Sequence, residues 1–228
     1  MSQQVVAITG AFGNLGIAVV QALRARGNKL ALIDRSTAHA DTLHADDFYL
    51  GGVNISIFSE AQSSVEKIMA RYGRLDALIN IAGTFRWETL QDGSLDTWDF
   101  LYEVNLKTAV AMSKAALPSL LVRGGRIINI GAGVAVNKAG QGMGAYAASK
   151  AGVIKLTEAL SEEVKDSGVT VNAILPSIID TPQNRADMPQ ADFSRWVTPD
   201  ALAQVIVFLL SDQASVITGA AIPVCGRV

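Results

Sequence analysis

The sequence predicts a single doubly wound α/β domain, a seven-stranded parallel sheet flanked by helices on both faces. Three observations lead there. Seven short apolar, β-branched runs alternate with segments of helical period along 228 residues. The first run ends in a glycine-rich turn that opens directly into a helical pattern. No stretch has repeat or linker composition, so residues 1–228 read as one domain.

Gln4 to Thr9 is the first strand, buried by its length and branching. The turn T-G-A-F-G-N-L-G follows, then Ile17, Val20 and Leu23 at helical spacing. Strand, glycine turn and helix in this order form the phosphate-binding corner of a dinucleotide (Rossmann) fold. There the backbone of Gly10, Gly13, Asn14, Leu15 and Gly16 approaches a pyrophosphate resting on the helix N-terminus. A second strand, Lys29 to Ile33, ends at Asp34, eighteen residues beyond Gly16 and placed to hold the adenosine ribose hydroxyls. That acid repels a 2′-phosphate and favours NAD(H). Arg35 beside it could pair with the same phosphate, which leaves NADP(H) open.

Residues 36–48 are polar and too few for a full helix. Phe48 to Ile57 reads as the third strand, with Asn54 near its end, and Glu60 to Tyr72 as a helix with Val65, Ile68 and Met69 inward. Leu75 to Ile79 is the fourth strand, closed by Asn80-Ile-Ala-Gly83, and Thr84 to Asp92 is a loop carrying Phe85, Arg86 and Trp87. Ser94 to Leu121 reads as one long helix containing Asn105, with Ser94 as its cap and Pro118 bending or ending it. Ile127 to Ile130 is the fifth strand, and the Gly/Ala-rich loop from Gly131 to Gly144 leads into a helix containing Tyr146 and Lys150. Residues four apart share a helical face, so an ammonium there can favour a phenolate and turn the phenol into a usable acid or base. Val169 to Leu175 is the sixth strand. The segment of about 177–197 reads as a substrate lid, with an Arg185–Asp187 pair and Trp196 inside it. Pro199 starts the last helix and Ile217 to Val224 is the seventh strand.

Composition narrows the function. Half the residues are hydrophobic, 18% are charged and the net charge is −2 with both signs scattered, which argues against nucleic-acid or membrane-surface partners. Cys225 is the only cysteine, so no cysteine-based zinc site forms, and His39 and His44 sit in a polar segment read as solvated surface. No metal site is expected. With the first strand beginning at Val5 and no apolar run of spanning length, the expected location is the cytoplasm.

Taken together, T-G-A-F-G-N-L-G, Asp34, N-I-A-G at Asn80 to Gly83, Asn105, Tyr146-x-x-x-Lys150 and P-S-I-I-D-T at Pro176 to Thr181 resemble the short-chain dehydrogenase/reductase superfamily over essentially the whole chain. The resemblance implies that Tyr146 donates a proton to the reduced substrate. It implies that Lys150 holds the nicotinamide ribose and depresses the tyrosine pKa, and that Asn105 anchors a relay water. Asn54, Asn80, Ala82, Gly83, Pro176, Ile178 and Thr181 would border the cofactor, and a homodimer or homotetramer would form through the Ser94–Leu121 and Tyr146–Val164 helices.

Three positions depart from the pattern. Asn14 stands at the middle glycine, Asn54 replaces an acid that touches adenine, and the serine expected about thirteen residues before Tyr146 is Ala132 or Gly133. No residue from Gly131 to Ala145 has a hydroxyl. One branch that also lacks this serine is dihydropteridine reductase, and Leu175 to Trp196 resembles its D-T-P-x-N-R-x-x-M-P-x-A-D-F-S-x-W segment. That resemblance implies hydride transfer to a quinonoid dihydropterin-like ring. The alternatives are a generic carbonyl reductase or alcohol dehydrogenase such as an oxoacyl reductase, and a weakly catalytic dinucleotide sensor.

Overall fold

The computed structural model describes residues 3–37 and 44–228. The expectation for His39 falls outside them. The element order is β1 (Val5–Thr9), α1 (Asn14–Arg24), β2 (Lys29–Ile33), β3 (Phe48–Leu50), α2 (Phe58–Tyr72), β4 (Ala77–Asn80), α3 (Leu95–Tyr102), α4 (Thr108–Leu121), β5 (Arg126–Ile130), α5 (Gly144–Val164), β6 (Thr170–Pro176), α6 (Pro182–Asp187), α7 (Pro199–Leu209) and β7 (Ala221–Val224). The strands form one parallel sheet in the order β3-β2-β1-β4-β5-β6-β7. Strand order reverses between β1 and β4, which opens a crevice at the carboxyl edge.

Alternate strand residues face opposite sides, and each side buries its own helices. Ile8, Leu32, Ile79, Ile128 and Ile174 face α1 and α7, and Ala7, Ile33, Leu78, Ile127 and Val171 face the layer of α2, α4 and α5. No helix among the described residues is long and apolar enough to cross a membrane.

Four expectations change. The third strand stops at Leu50 because Gly52 turns left-handed (φ +74) and the chain folds back, Val53 N–H donating to the Asp34 carbonyl at 3.0 Å. The long helix is broken: Ser94 caps α3 through Asp96 N–H, but Glu103–Lys107 is a π-helical turn before α4 begins. Such turns recur at functional sites, and this one holds Asn105. Pro118 lies inside α4, which runs three residues further to Leu121. Fourth, the two helices expected to pair with another copy spend part of their apolar surface on the chain's own core: Met112 and Ile154 are buried against the sheet, while Val110 stays exposed.

The lid contains α6 and a 3₁₀ turn at Phe193–Arg195, and Ile179 bridges Val197. Arg185 pairs with Asp180 in a two-pronged bond (2.5 and 2.7 Å), not with Asp187, which accepts from Gln183 instead. Side chains two apart on a helix diverge, so Arg185 meets Asp180, just before the Thr181 cap, and not Asp187.

Candidate active site

A cavity of about 590 Å³ lies along the carboxyl edge of the sheet. Its wall at one end is the turn after β1. Gly10 sits at φ +63, where a Cβ would press on the Ala82 amide at 2.8 Å, and a Cβ at Gly16 would clash with the Gly10 carbonyl. These contacts fold the turn tightly and bring α1 up to the sheet edge. Gly13 caps α1 with no side-chain bond and the first turn has no acid, so its amides are left for an anion. Asn14 and Leu15 line the same wall.

Asp34 ties this corner to β2. Its Oδ2 accepts the Phe12 amide at 3.0 Å, and its Oδ1 accepts the Ser36 amide and hydroxyl at 2.9 and 2.8 Å. Arg35 lines the cavity and is exposed. Further along are Asn54, then Ala82 and Gly83 after β4, and Pro176 at the end of β6. Thr9, which sequence reasoning passed over, positions the β4 loop: its hydroxyl accepts the Ile81 and Ala82 amides at 3.1 and 3.2 Å.

At the other end stand Tyr146 and Lys150 on α5. Lys150 is 5% exposed and its Nζ donates to the Ile130 carbonyl at 2.7 Å. Burial pulls its pKa down to about 8. Burial also pushes the Tyr146 phenol up to about 12. The expected depression by Lys150 is therefore reversed in the resting protein, because desolvation outweighs a cation committed to a carbonyl. Phe85 meets the Tyr146 ring edge-on, centroids 5.0 Å apart, and lines the cavity, whereas Trp87 and Trp196 do not. Trp87 packs on Gly142, and Trp196 is buried against Phe193.

Asn105 is 1% exposed and does not line the cavity. Its Oδ1 accepts the Thr84 amide at 2.7 Å, and its Nδ2 donates to the Thr84 carbonyl and Ser149 Oγ at 3.0 and 2.9 Å. Both amide hydrogens are taken, so the side chain braces the β4 loop against α5 and has no donor left for a water. Ser149 completes the brace by donating to the Tyr146 carbonyl at 2.7 Å. The motif Y-x-x-S-K contains it, yet only the three-dimensional contact with Asn105 gives it a task.

Three further expected residues lie off the cavity wall. Asn80 is buried in the core and donates to Asn129 and Ser113, since its side chain points across the sheet toward β5 and α4. Thr181 caps α6 by accepting the Asn184 amide, and Ile178 accepts the Val197 amide through its carbonyl. The wall there is made by Ser177 and Ile179.

Neither Ala132 nor Gly133 offers a hydroxyl, and Ala132 lines the cavity. Of the hydroxyls on the wall, those of Ser36, Ser56, Thr108 and Ser177 bond to protein acceptors. Those of Tyr146 and Thr84 have no protein partner among the described residues.

The sequence matches the family model for short chain dehydrogenases over residues 4–192. It is 34% identical to a 3-oxoacyl-[acyl-carrier-protein] reductase of Salmonella typhimurium, covering 96% of this chain and 94% of that one. The fold superposes on a 3-ketoacyl-(acyl-carrier-protein) reductase from Brucella melitensis complexed with NADH, with TM-score 0.87 and 25% identity over 98% of this chain and 97% of that one. It also superposes on an aldohexose dehydrogenase from Thermoplasma acidophilum, with TM-score 0.87 and 26% identity over 99% and 93% of the two chains. These matches favour the carbonyl-reducing alternative over the pteridine branch that the lid motif suggested. With a glycine turn, an acid at the end of β2 and a Tyr–Lys pair along one cavity, and with this likeness along its length, the chain belongs to the short-chain dehydrogenase family and is an NAD(P)-dependent oxidoreductase.

Proposed function

We propose that the protein is an NAD(P)H-dependent reductase of a small carbonyl compound, of the kind its oxoacyl reductase relatives represent, with Tyr146 as proton donor. The observation that supports this most is the buried phenol, one helical turn from Lys150, in a cavity that also holds the Gly10–Gly16 turn and Asp34. Bound there, the reduced cofactor supplies the hydride. The Gly10–Gly16 turn would hold its pyrophosphate, Asp34 its adenosine ribose and Lys150 its nicotinamide ribose. Asp34 also argues for NADH, because a 2′-phosphate beside an ionised carboxylate is repelled. Tyr146 gives its proton to the substrate oxygen. A phenol held at about 12 is protonated throughout the neutral range, which suits reduction. Phe85 packs against the Tyr146 ring in a T-shaped contact and restricts where the ring can swing.

A second reading, reduction of a quinonoid dihydropterin, is favoured by one specific observation: no hydroxyl stands at Ala132 or Gly133 to polarise a carbonyl oxygen. One such donor is worth a factor of about 10²–10³, which an electron-poor ring can forgo. A single assay panel separates the two. Purified protein is given acetoacetyl thioester and quinonoid dihydropterin, each with NADH and with NADPH, alongside the Gly133→Ser variant. A Cβ at Gly133 meets only the Pro176 carbonyl, at 3.5 Å, so serine fits. The carbonyl reading expects measurable wild-type thioester turnover with NADH ahead of NADPH, rising at least tenfold in Gly133→Ser. Turnover of the pterin alone, indifferent to the serine, would replace it with the second reading.

Self-association is proposed through the α3–α4 side, where Trp98, Tyr102 and Val110 are exposed. Light scattering should return a mass of two or four chains. A monomer at micromolar concentration would remove the idea.

A further inference from the structure

Strand β3 lies beyond β2 in the sheet, so a dinucleotide whose ribose rests on Asp34 carries its purine toward the turn after β3. That part of the cavity is lined by Asn54, Ile55 and Ser56 from the turn, and by Glu103 and Val104 from the π-helical turn. Adenine presents a 6-amino group there, which needs an acceptor. Asn54 is uncharged, and its Oδ1 already accepts the Ser56 amide at 3.3 Å, while the single Ser56 hydroxyl hydrogen lies within reach of both that oxygen (2.8 Å) and Glu103 (2.5 Å) and goes to the nearer, charged acceptor. Among the described residues the cavity wall has two carboxylates, Asp34 and Glu103. Asp34, at the end of β2, is the acid on which the ribose would rest, which leaves Glu103 beside the turn after β3. Glu103 is anchored through one oxygen, Oε1, which lies 2.5 Å from Ser56 Oγ. Its Oε2 has no protein partner among the described residues.

We propose that Glu103 reads the 6-amino group of the cofactor's purine, supplying from the π-helical turn the carboxylate that is missing at Asn54. An ionised acid accepts and cannot donate, so this residue selects an amino-purine and repels a 6-oxo-purine. Anchoring by Ser56 fixes the carboxylate in advance, which lowers the ordering cost when the nucleotide arrives. The inference rests on the cavity's holding the dinucleotide and is independent of which substrate is reduced.

The test is equilibrium binding, read by quenching of intrinsic fluorescence and by calorimetry, with NADH and with reduced nicotinamide hypoxanthine dinucleotide, whose purine has a 6-oxo group. Wild type should bind NADH about tenfold or more tightly than the hypoxanthine analogue, in line with the strength of a hydrogen bond to a charged group. In Glu103→Gln, where the side chain can donate to a 6-oxo group, the ratio should fall to about one or invert. Glu103→Ala should weaken NADH binding and flatten the ratio. Ser56→Ala keeps the carboxylate and should keep the preference. An unchanged ratio in both Glu103 variants would overturn the proposal, and so would a Ser56→Ala ratio that falls as far as that of Glu103→Ala, since the tie itself would then be responsible. Binding of neither dinucleotide by wild type would overturn the nucleotide assignment of the cavity, whereas loss of turnover with binding intact would bear only on the substrate.

Discussion

Tyr146→Phe lowers kcat for reduction by about a thousandfold and leaves the dissociation constant for the cofactor within about threefold of wild type. The size follows from the work a positioned general acid does, typically 10²–10⁴ in rate. Its selectivity follows from the site. Phenylalanine keeps the ring that Phe85 meets edge-on, and the Ser149 bond runs to the backbone carbonyl of residue 146, so the substitution removes one oxygen and disturbs no brace. Among the described residues the phenol has no protein hydrogen-bond partner whose loss would be felt elsewhere. Stopped-flow oxidation of bound cofactor under single-turnover conditions isolates the chemical step. A variant that keeps more than a tenth of wild-type rate would remove Tyr146 as the proton donor. Thr84, the other cavity hydroxyl without a protein partner, would then be the group to examine.

The parts of this site legible in the sequence are those set by local spacing. The Gly10–Gly16 turn, Asp34 and the Tyr146–Lys150 pair each follow from a strand end or a helical period, and all line the cavity. What the sequence hides is where a side chain turns after its element ends. Asn80 and Gly83 belong to one motif, yet Asn80 faces the core network of Asn129 and Ser113 while Gly83 passes the Lys150 ammonium so closely that a Cβ would lie 3.1 Å from it. Nor does a run of helix-forming residues announce a π-helical turn. Glu103 and Asn105 look like neighbours on an ordinary helix, and only the tertiary partners Ser56, Thr84 and Ser149 reveal that each has a separate assignment. The raised pKa of the phenol is hidden for the same reason. A four-residue spacing places charge nearby but says nothing of the burial that opposes it or of the Ile130 carbonyl that holds the ammonium.

That burial makes Lys150 a residue the protein keeps at the expense of stability. Its folded pKa of about 8 lies below the ordinary 10.5, so the unfolded chain holds this proton more tightly. Below pH 8 both states are protonated and the folded state bears the whole cost of an ammonium out of water, about 3 kcal/mol for a shift of this size. Between pH 8 and 10.5 the folded state releases the proton first, so this group's contribution to stability rises with pH across that window. Lys150→Met should therefore raise the melting temperature of the cofactor-free protein at pH 7. Subtracting about 1 kcal/mol for the lost bond to Ile130 leaves a gain near 2 kcal/mol, or roughly 4–8 °C for a domain of this length. The gain should vanish by about pH 10.5. Catalysis should move the other way, falling about a hundredfold or more, because the cation proposed to hold the nicotinamide ribose beside the phenol is gone. In the wild type, kcat/KM should decline above about pH 8 as Lys150 loses its proton, and that limb should be absent in the variant. Thermal unfolding of both proteins at pH 7 and pH 10 is the direct check. A methionine variant less stable than wild type at pH 7, or one whose advantage does not change with pH, would mean that the ammonium is not under strain and that some other group sets the alkaline limb.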